Sequence, residues 1–126
     1  MKITDDQAGE RALAEIGSTA VRMICSGDLR ALGAQFGYAV AFDRDTVVAI
    51  GDDLALSLAD LGASGLGPPP AEAPAVSYFS DNGLGRFALI EQYIPTDSAG
   101  HVLLELIVSP RGPGKQVTLE GISASP

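Results

Sequence analysis

The C-terminal part of the chain contains three runs rich in β-branched and aliphatic residues, separated by turn-forming residues. The runs are 86–94, 101–108 and 116–122. The connectors between them carry the Pro, Gly, Asp and Ser residues that set turn dihedral angles. Strands joined by connectors this short are most simply antiparallel neighbours. A shorter run at 75–79 adds a first strand, and Asn82-Gly83 after it is a hairpin signal. The sequence therefore predicts an antiparallel sheet of about four strands.

Alternation along the strands indicates which residues share a face of this sheet. In the run 101–108 the even-numbered residues are all aliphatic, whereas Leu103, Glu105 and Ile107 point to the other side. Val117 and Leu119 share one side of the last strand, and Gln116, Thr118 and Glu120 point to water. One face is therefore apolar, and the N-terminal half must cover it.

The N-terminal half shows helical periodicity in two or three segments. Residues 4–25 are predicted to be a helix, because Thr4 and Gln7 have capping-box spacing and apolar residues then recur at steps of three and four. Asp28 can cap a short second helix. Residues 46–61 predict a third helix that Gly62 ends. The pattern leaves residues 37–42 open between a strand and a continuation of the second helix, and residues 46–50 have a rival interpretation as a strand.

Helices that precede strands in this segregated order define an α+β fold. The helices are expected to pack on one face of the sheet, and the Gly/Pro-rich residues 62–74 are expected to cross from the helices to it. A chain of 126 residues has the length of one domain, which we assign to residues 1–126.

The order of elements resembles the cystatin-like and NTF2-like α+β superfamily. Ser26-Gly27-Asp28-Leu29-Arg30-Ala31-Leu32 follows the long first helix, and the Gly27-Asp28-Leu29 step is similar to one in many such domains. The resemblance spans most of the chain and implies a shallow cystatin-like sheet. Such folds host small-molecule pockets, a few enzymes with an Asp/His pair inside an aromatic-lined cone, and many adaptor or immunity-type proteins.

Charge is distributed unevenly along the chain. The net charge is −8, and no Lys or Arg occurs between Asp45 and Gly85. Acidic surfaces repel phosphate backbones, so we expect no nucleic-acid binding, whereas a basic protein is attracted. The third helix is expected to present the acidic residues of such a partner-binding surface, namely Asp45, Asp52, Asp53 and Asp60.

The candidate ligand-binding residues lie on the predicted sheet. His101 is the only histidine and is intrinsically suited to proton transfer near neutral pH. Glu105 and Tyr93 are its expected neighbours in a pocket between helices and sheet, and Glu91 is expected to share the face of Glu105. Cys25 ends a helix and is interpreted as a packed thiol.

Several classes of function lack their sequence signals. The glycines form neither a phosphate-binding loop nor a dinucleotide fingerprint, and no zinc-type ligand cluster or serine nucleophile motif occurs, so no cofactor, metal or catalytic residue is assigned. No apolar run approaches the roughly 20 residues of a membrane helix. The first residues lack the pattern of a signal peptide, so a cytoplasmic location without membrane association is expected.

These observations support two hypotheses of different kinds. The first is a non-catalytic adaptor-like or immunity-like domain that presents its acidic helix and proline loop to a basic protein. The alternative is an NTF2-like small-molecule binder or enzyme that uses His101, Glu105 and Tyr93. A homodimer through the second face of the sheet fits either hypothesis, because Leu103, Ile107, Ala88 and Ile90 are expected to leave that face partly apolar.

Overall fold

A computed structural model describes residues 1–80 and 85–126 of the chain. In chain order the elements are β1 (Lys2–Ile3), a short 3-10 turn (Asp5–Gln7), α1 (Glu10–Cys25), α2 (Leu29–Phe36), α3 (Thr46–Asp60), β2 (Ala75–Tyr78), β3 (Ala88–Pro95), β4 (His101–Arg111) and β5 (Gly114–Ser125). The Asn82-Gly83 hairpin signal lies outside the described residues.

The strands of the described chain form one antiparallel sheet of five, in the order β1-β5-β4-β3-β2. The predicted α+β class is confirmed: the helices precede the long strands and pack on one face of the sheet, which we call the covered face. The sheet has one strand more than expected, because residues 2–3 pair with Gln116 and Lys115 at its edge. A two-residue strand carries no periodic signal of its own.

The alternation along β4 and β5 is confirmed. Val102, Leu104, Leu106 and Val108 are buried against the helices. A bulge at Glu120 and Gly121 shifts the register, so Val117 and Leu119 before it and Ile122 after it all face the core. The sequence prediction for Ala88 and Ile90 is wrong, because they pair with Val108 and Leu106 and are buried on the covered face.

Each helix boundary between α1 and α3 has a local cause. After α1, Gly27 has φ +77° and Asp28 N–H donates to Met23 O at 2.9 Å, which is a Schellman stop. The Asp28 carboxylate then accepts the Ala31 N–H at 3.2 Å and caps α2. Asp45 caps α3 through the Val48 N–H at 3.1 Å, and Gly62 ends it with φ +64°.

The N-terminal half differs from the prediction in two places. The predicted helix over 4–25 is interrupted: Thr4 caps a 3-10 turn, and α1 starts only after Gly9. Residues 37–45 are neither strand nor helix but turns. The Ala39 N–H donates a hydrogen bond to Leu119 O at 2.9 Å, which attaches these turns to β5 beside the bulge. The preferred interpretation of residues 46–61 as one helix is confirmed, and its strand rival is wrong.

The core lies between the helices and the covered face. Its largest fully buried side chains come from α1, α2, α3 and every long strand, and they are Phe36, Leu13, Ile24, Leu32, Ile50, Ile90, Ile94, Leu104, Leu106, Leu119, Val102 and Val108. Gly17 allows α1 to approach the sheet closely, because a Cβ there would lie 2.6 Å from Ile90 Cγ2. Among the described helices, none combines the length and apolar character needed to cross a bilayer.

Candidate functional site

The outward side of α3 is a mixed acidic and apolar surface. Val48, Asp52, Leu56 and Asp60 follow one another at steps of four, so they form a single row along the helix. Val48 is 54% and Leu56 64% exposed, although both are large apolar residues. Asp45 lies at the head of the row, and the opposite side of α3 is docked on β5 through Ser57 Oγ, 3.5 Å from Ile122 O. We call this row with Asp45 the α3 outer face.

Asp53, the fourth acidic residue predicted for this surface, is engaged within the fold. Its carboxylate accepts hydrogen bonds from the Tyr38 hydroxyl and from Arg44 Nη1, the latter at 2.9 Å. The hydrogen bond from Arg44 lowers the pKa of Asp53, and the hydrogen bond from Tyr38 lowers it further. Partial burial acts in the opposite direction, but the pKa stays below its ordinary value. Asp53 therefore ties the turn 38–44 to α3, whereas Asp45, Asp52 and Asp60 form no ion pair with any described residue.

Phe42 stands in the turn that leads into α3 and is both strained and exposed. Its φ is +57°, in the left-handed region that bulky residues rarely adopt. Its side chain is 84% exposed, so no packing within the described chain compensates for this conformation. Glycine or asparagine adopts this backbone conformation at a lower energetic cost than phenylalanine does.

A second candidate site is a cleft beside β3, created by a bow in the chain. β2 pairs with β3 only as far as Ala75 and Glu91, and Gly67 N–H meets Pro95 O at 2.7 Å. Between these two anchors residues 68–74 run beside residues 92–94, so the longer segment must bow away from the strand. Its prolines lack N–H donors and cannot pair with the edge. The result is a cleft of about 500 Å³.

The β3 cleft, as we call it, brings together residues from the bowed segment and from the ends of β3 and β4. It is lined by Pro70, Ala71, Glu72, Ala73, Ala75, Glu91, Gln92, Tyr93, Pro95 and His101. The rings of Tyr93 and His101 meet edge to face, with centroids 6.4 Å apart. Gln92 also lines a smaller cleft of about 290 Å³ between residues 69–74 and α1. The helix–sheet interface itself is occupied by core side chains.

The uncovered side of the sheet, called the open face, carries three carboxylates near its centre. Glu91 and Glu105 are directly opposite on neighbouring strands, and Glu120 stands in the bulge beside them. Burial raises the pKa of Glu105, and the negative charges of Glu91 and Glu120 raise it further. Arg86 reaches Glu120 at 3.8 Å. Leu89, Leu103 and Ile107 surround this cluster as half-buried or buried apolar residues.

The structure brings together some of the residues selected from the sequence and separates others. Tyr93 and His101 share the β3 cleft, whereas Glu105 lies further along the open face with Glu91 and Glu120. Cys25 is partly buried, and burial raises the pKa of its thiol. Sequence analysis missed Gln92, Glu72 and Phe42. Gln92 shares the covered face with Ala88 and Ile90, whose side the sequence prediction had wrong, and nothing in the sequence signals the positive φ of Phe42.

A comparison of the chain with protein-family models, curated proteins and solved structures finds no significant match. Within residues 1–80 and 85–126, no group of three or more His, Cys, Asp or Glu side chains is arranged to hold a metal ion.

Proposed function

We propose that this protein is a non-catalytic interaction domain whose α3 outer face docks on a basic protein. The observation that carries the proposal is the single row of alternating apolar and acidic residues, Val48, Asp52, Leu56 and Asp60, on the exposed side of α3. Exposed apolar residues rimmed by charges are typical of protein-binding patches. Phe42 at the start of the helix supplies an aromatic residue of the type enriched in interface cores.

Charge complementarity defines the partner. Asp45, Asp52 and Asp60 lie in the stretch from 45 to 85 that contains no Lys or Arg. Lysine and arginine side chains of a partner meet these carboxylates while their neighbouring apolar residues cover Val48 and Leu56. Steps of four on α3 form a ridge that packs into the groove of another helix, so an amphipathic basic helix is the best-fitting partner surface.

The architecture is in accord with this function. A cystatin-like domain with a shallow sheet and an adaptor-like or immunity-like role agrees with the observed three helices on a five-stranded sheet within the described chain. A cytoplasmic location stays a prediction of the sequence. The second candidate function, small-molecule binding, is supported by the β3 cleft, since Tyr93 and His101 both line it.

The test uses a synthetic amphipathic helix of Leu and Lys, with a Leu/Glu helix of equal length as its counterpart. We expect the Leu/Lys peptide to bind wild-type protein and to lose affinity steeply with added salt, because its contacts to Asp52 and Asp60 are screened. The double variant Asp52→Lys, Asp60→Lys is expected to lose binding. Asp53 is left intact in this design, since its replacement would break the contacts to Tyr38 and Arg44.

The matched control is Glu10→Lys with Glu15→Lys, which changes the net charge equally on the exposed side of α1. The control should bind the Leu/Lys peptide nearly as well as wild type does. Equal losses in the two double variants would reduce the interaction to net charge alone and contradict the proposal. Binding that ignores both salt and the α3 substitutions would contradict it as well.

A further inference from the structure

We infer that the β3 cleft is a binding site for a small organic cation, a primary ammonium or guanidinium group carried on an apolar stem. This site is separate from the α3 outer face and does not depend on the proposed docking function. Its volume of about 500 Å³ lies within the range of small-molecule sites, which is roughly 300–1,000 Å³.

The charge of the ligand follows from the side chains around the cleft. Glu72 stands on the bowed segment and Glu91 on β3, so carboxylates flank the opening from both sides. No Lys or Arg is among the residues that line it. Tyr93 adds an aromatic ring, whose face attracts a cation. Arg22 lies in the neighbouring cleft on the α1 side, where its Nη2 donates to Thr19 Oγ1 at 3.1 Å.

Gln92 supplies an amide group at the cleft. Its side chain is at the edge of the sheet just beyond the last pair with β2, and the residue is only 8% exposed. The amide Nε2 donates to Tyr93 O at 3.3 Å. Its Oε1 accepts no hydrogen bond from the described residues, and because no buried side-chain atom among them lacks a partner, this oxygen is open to solvent. An ammonium or guanidinium N–H is a donor that this oxygen can accept from.

The backbone of β3 offers a further polar contact. In an antiparallel strand, alternate residues direct their N–H and C=O groups to the same edge. Pro95 O accepts Gly67 N–H, so the main chain of Tyr93 also faces the bowed segment. No main-chain hydrogen bond joins Tyr93 to residues 68–74 within the described chain.

The remaining walls accept the apolar stem. Pro70, Ala71, Ala73 and Pro95 present aliphatic surface, and His101 closes one end with its ring against Tyr93. A ligand with one cationic group and a short apolar body therefore matches the lining, whereas an anion meets two carboxylates and the amide oxygen of Gln92.

The experiment is a titration of the full chain followed by amide nuclear magnetic resonance, with benzylamine, benzyl alcohol and benzoate as probes of equal ring size. Benzylamine is expected to shift the resonances of Gln92, Tyr93 and His101 with a Kd of about a millimolar, as fits a fragment of this size. Benzyl alcohol should bind more weakly at the same residues. Benzoate should leave them unchanged.

Glu91→Gln and Glu72→Gln are each expected to weaken benzylamine binding roughly two- to fivefold, the effect of one partly exposed ion pair. Glu10→Gln removes the same charge on the exposed side of α1 and should leave the affinity unchanged. The inference is overturned if benzylamine shifts no resonance at Gln92 and Tyr93. It is equally overturned if benzoate or benzyl alcohol binds there as well as benzylamine does, or if Glu10→Gln weakens binding as much as Glu91→Gln.

Discussion

Gly17 shows how one missing side chain sets the distance between two layers. The helix α1 crosses β3 so closely that a Cβ on Gly17 would lie 2.6 Å from Ile90 Cγ2 and 3.0 Å from Pro74 Cγ. Ile90 is 1% exposed, so its side chain has no room to move aside. The cost of overpacking, about 1–3 kcal/mol, exceeds the gain in helix propensity of about 1 kcal/mol.

We therefore expect Gly17→Ala to lower the free energy of unfolding by up to about 2 kcal/mol, measured by urea denaturation. Gly51→Ala is the matched control in the middle of α3, where the nearest atom to a new Cβ is Leu29 Cδ1 at 3.6 Å. That variant should be stabilised by about 1 kcal/mol. Stabilisation of both variants would show that α1 can move away from the sheet.

Phe42 is the second residue whose replacement separates stability from function. Glycine at φ +57° relieves a strain of about 1–2 kcal/mol, and its greater unfolded-state entropy takes back roughly 0.5–1 kcal/mol. Phe42→Gly is therefore expected to raise the free energy of unfolding by up to about 1.5 kcal/mol and to weaken binding of the Leu/Lys peptide.

Val48→Gly is the comparison for Phe42→Gly. Val48 is exposed but helical, so this substitution should lower the free energy of unfolding by about 0.5 kcal/mol. Thermal melts and peptide titration on the same samples measure both quantities. A loss of stability in Phe42→Gly would mean that the ring serves the fold, and its role as a partner contact would then lose its support.

At the scale of elements, local rules made most of the fold predictable. Helix stops and caps depend on neighbouring residues alone, so they can be found in the sequence. Examples are the stop and cap at Gly27-Asp28, the cap at Asp45 and the stop at Gly62. Strand β1 depends on pairing with β5, which is distant in the chain. The face of the sheet to which Ala88 and Ile90 point depends on the register between β3 and β4. A shift of one residue would move every side chain of the strand to the opposite face.

The candidate sites were predictable only in part, for the same reason. Tyr93 and His101 were selected from residue type, and alternation brought Glu91 and Glu105 to one face. The β3 cleft required the bow of residues 68–74 between two anchor points, Gly67 and Ala75, that are visible only in three dimensions. The engagement of Asp53 required the turn 38–44, whose conformation no periodic pattern encodes.

The pairing of β3 with β4 has a measurable electrostatic consequence. Glu105 is partly buried opposite Glu91 and near Glu120, and its pKa is raised by burial first and by these charges second. A carboxyl whose pKa is raised by folding stabilises the fold below its unfolded pKa, and this stabilisation is lost as the pH rises through the folded pKa. Glu105 therefore opposes folding at neutral pH.

Glu105→Gln is expected to raise the melting temperature at neutral pH, and the difference from wild type should disappear below about pH 4, where the carboxyl is protonated in both states. Glu72→Gln removes one charge from the exposed bowed segment and is the control, with little change expected. Destabilisation by Glu105→Gln at neutral pH would show that the carboxylate has a stabilising partner on the open face.

The whole molecule has three candidate contact surfaces, which lie on different parts of the fold. The α3 outer face lies on the helical layer, the β3 cleft lies at the β2 edge, and the open face lies on the other side of the sheet. A homodimer through the open face, expected from the sequence, stays a prediction. Its apolar contribution comes from Leu89, Leu103 and Ile107 rather than from Ala88 and Ile90.

Two copies joined through the open face place the same patch on both sides of the interface. Glu91, Glu105 and Glu120 of one copy then meet those of the other, and repulsion in a partly desolvated interface weakens the dimer at neutral pH. We therefore expect the dimer fraction, measured by light scattering at several concentrations, to rise as the pH falls through the raised pKa of Glu105.

Substitutions on opposite sides of the molecule locate this interface. Leu103→Lys places a charge among the apolar residues of the open face and should keep the protein monomeric at every pH at which it stays folded, whereas Ala55→Lys on the exposed side of α3 should leave the dimer fraction unchanged. A monomer at all concentrations and pH values would refute the homodimer. A dimer that Ala55→Lys disrupts and Leu103→Lys does not would place self-association on the helical layer, where it would compete with the basic partner for α3.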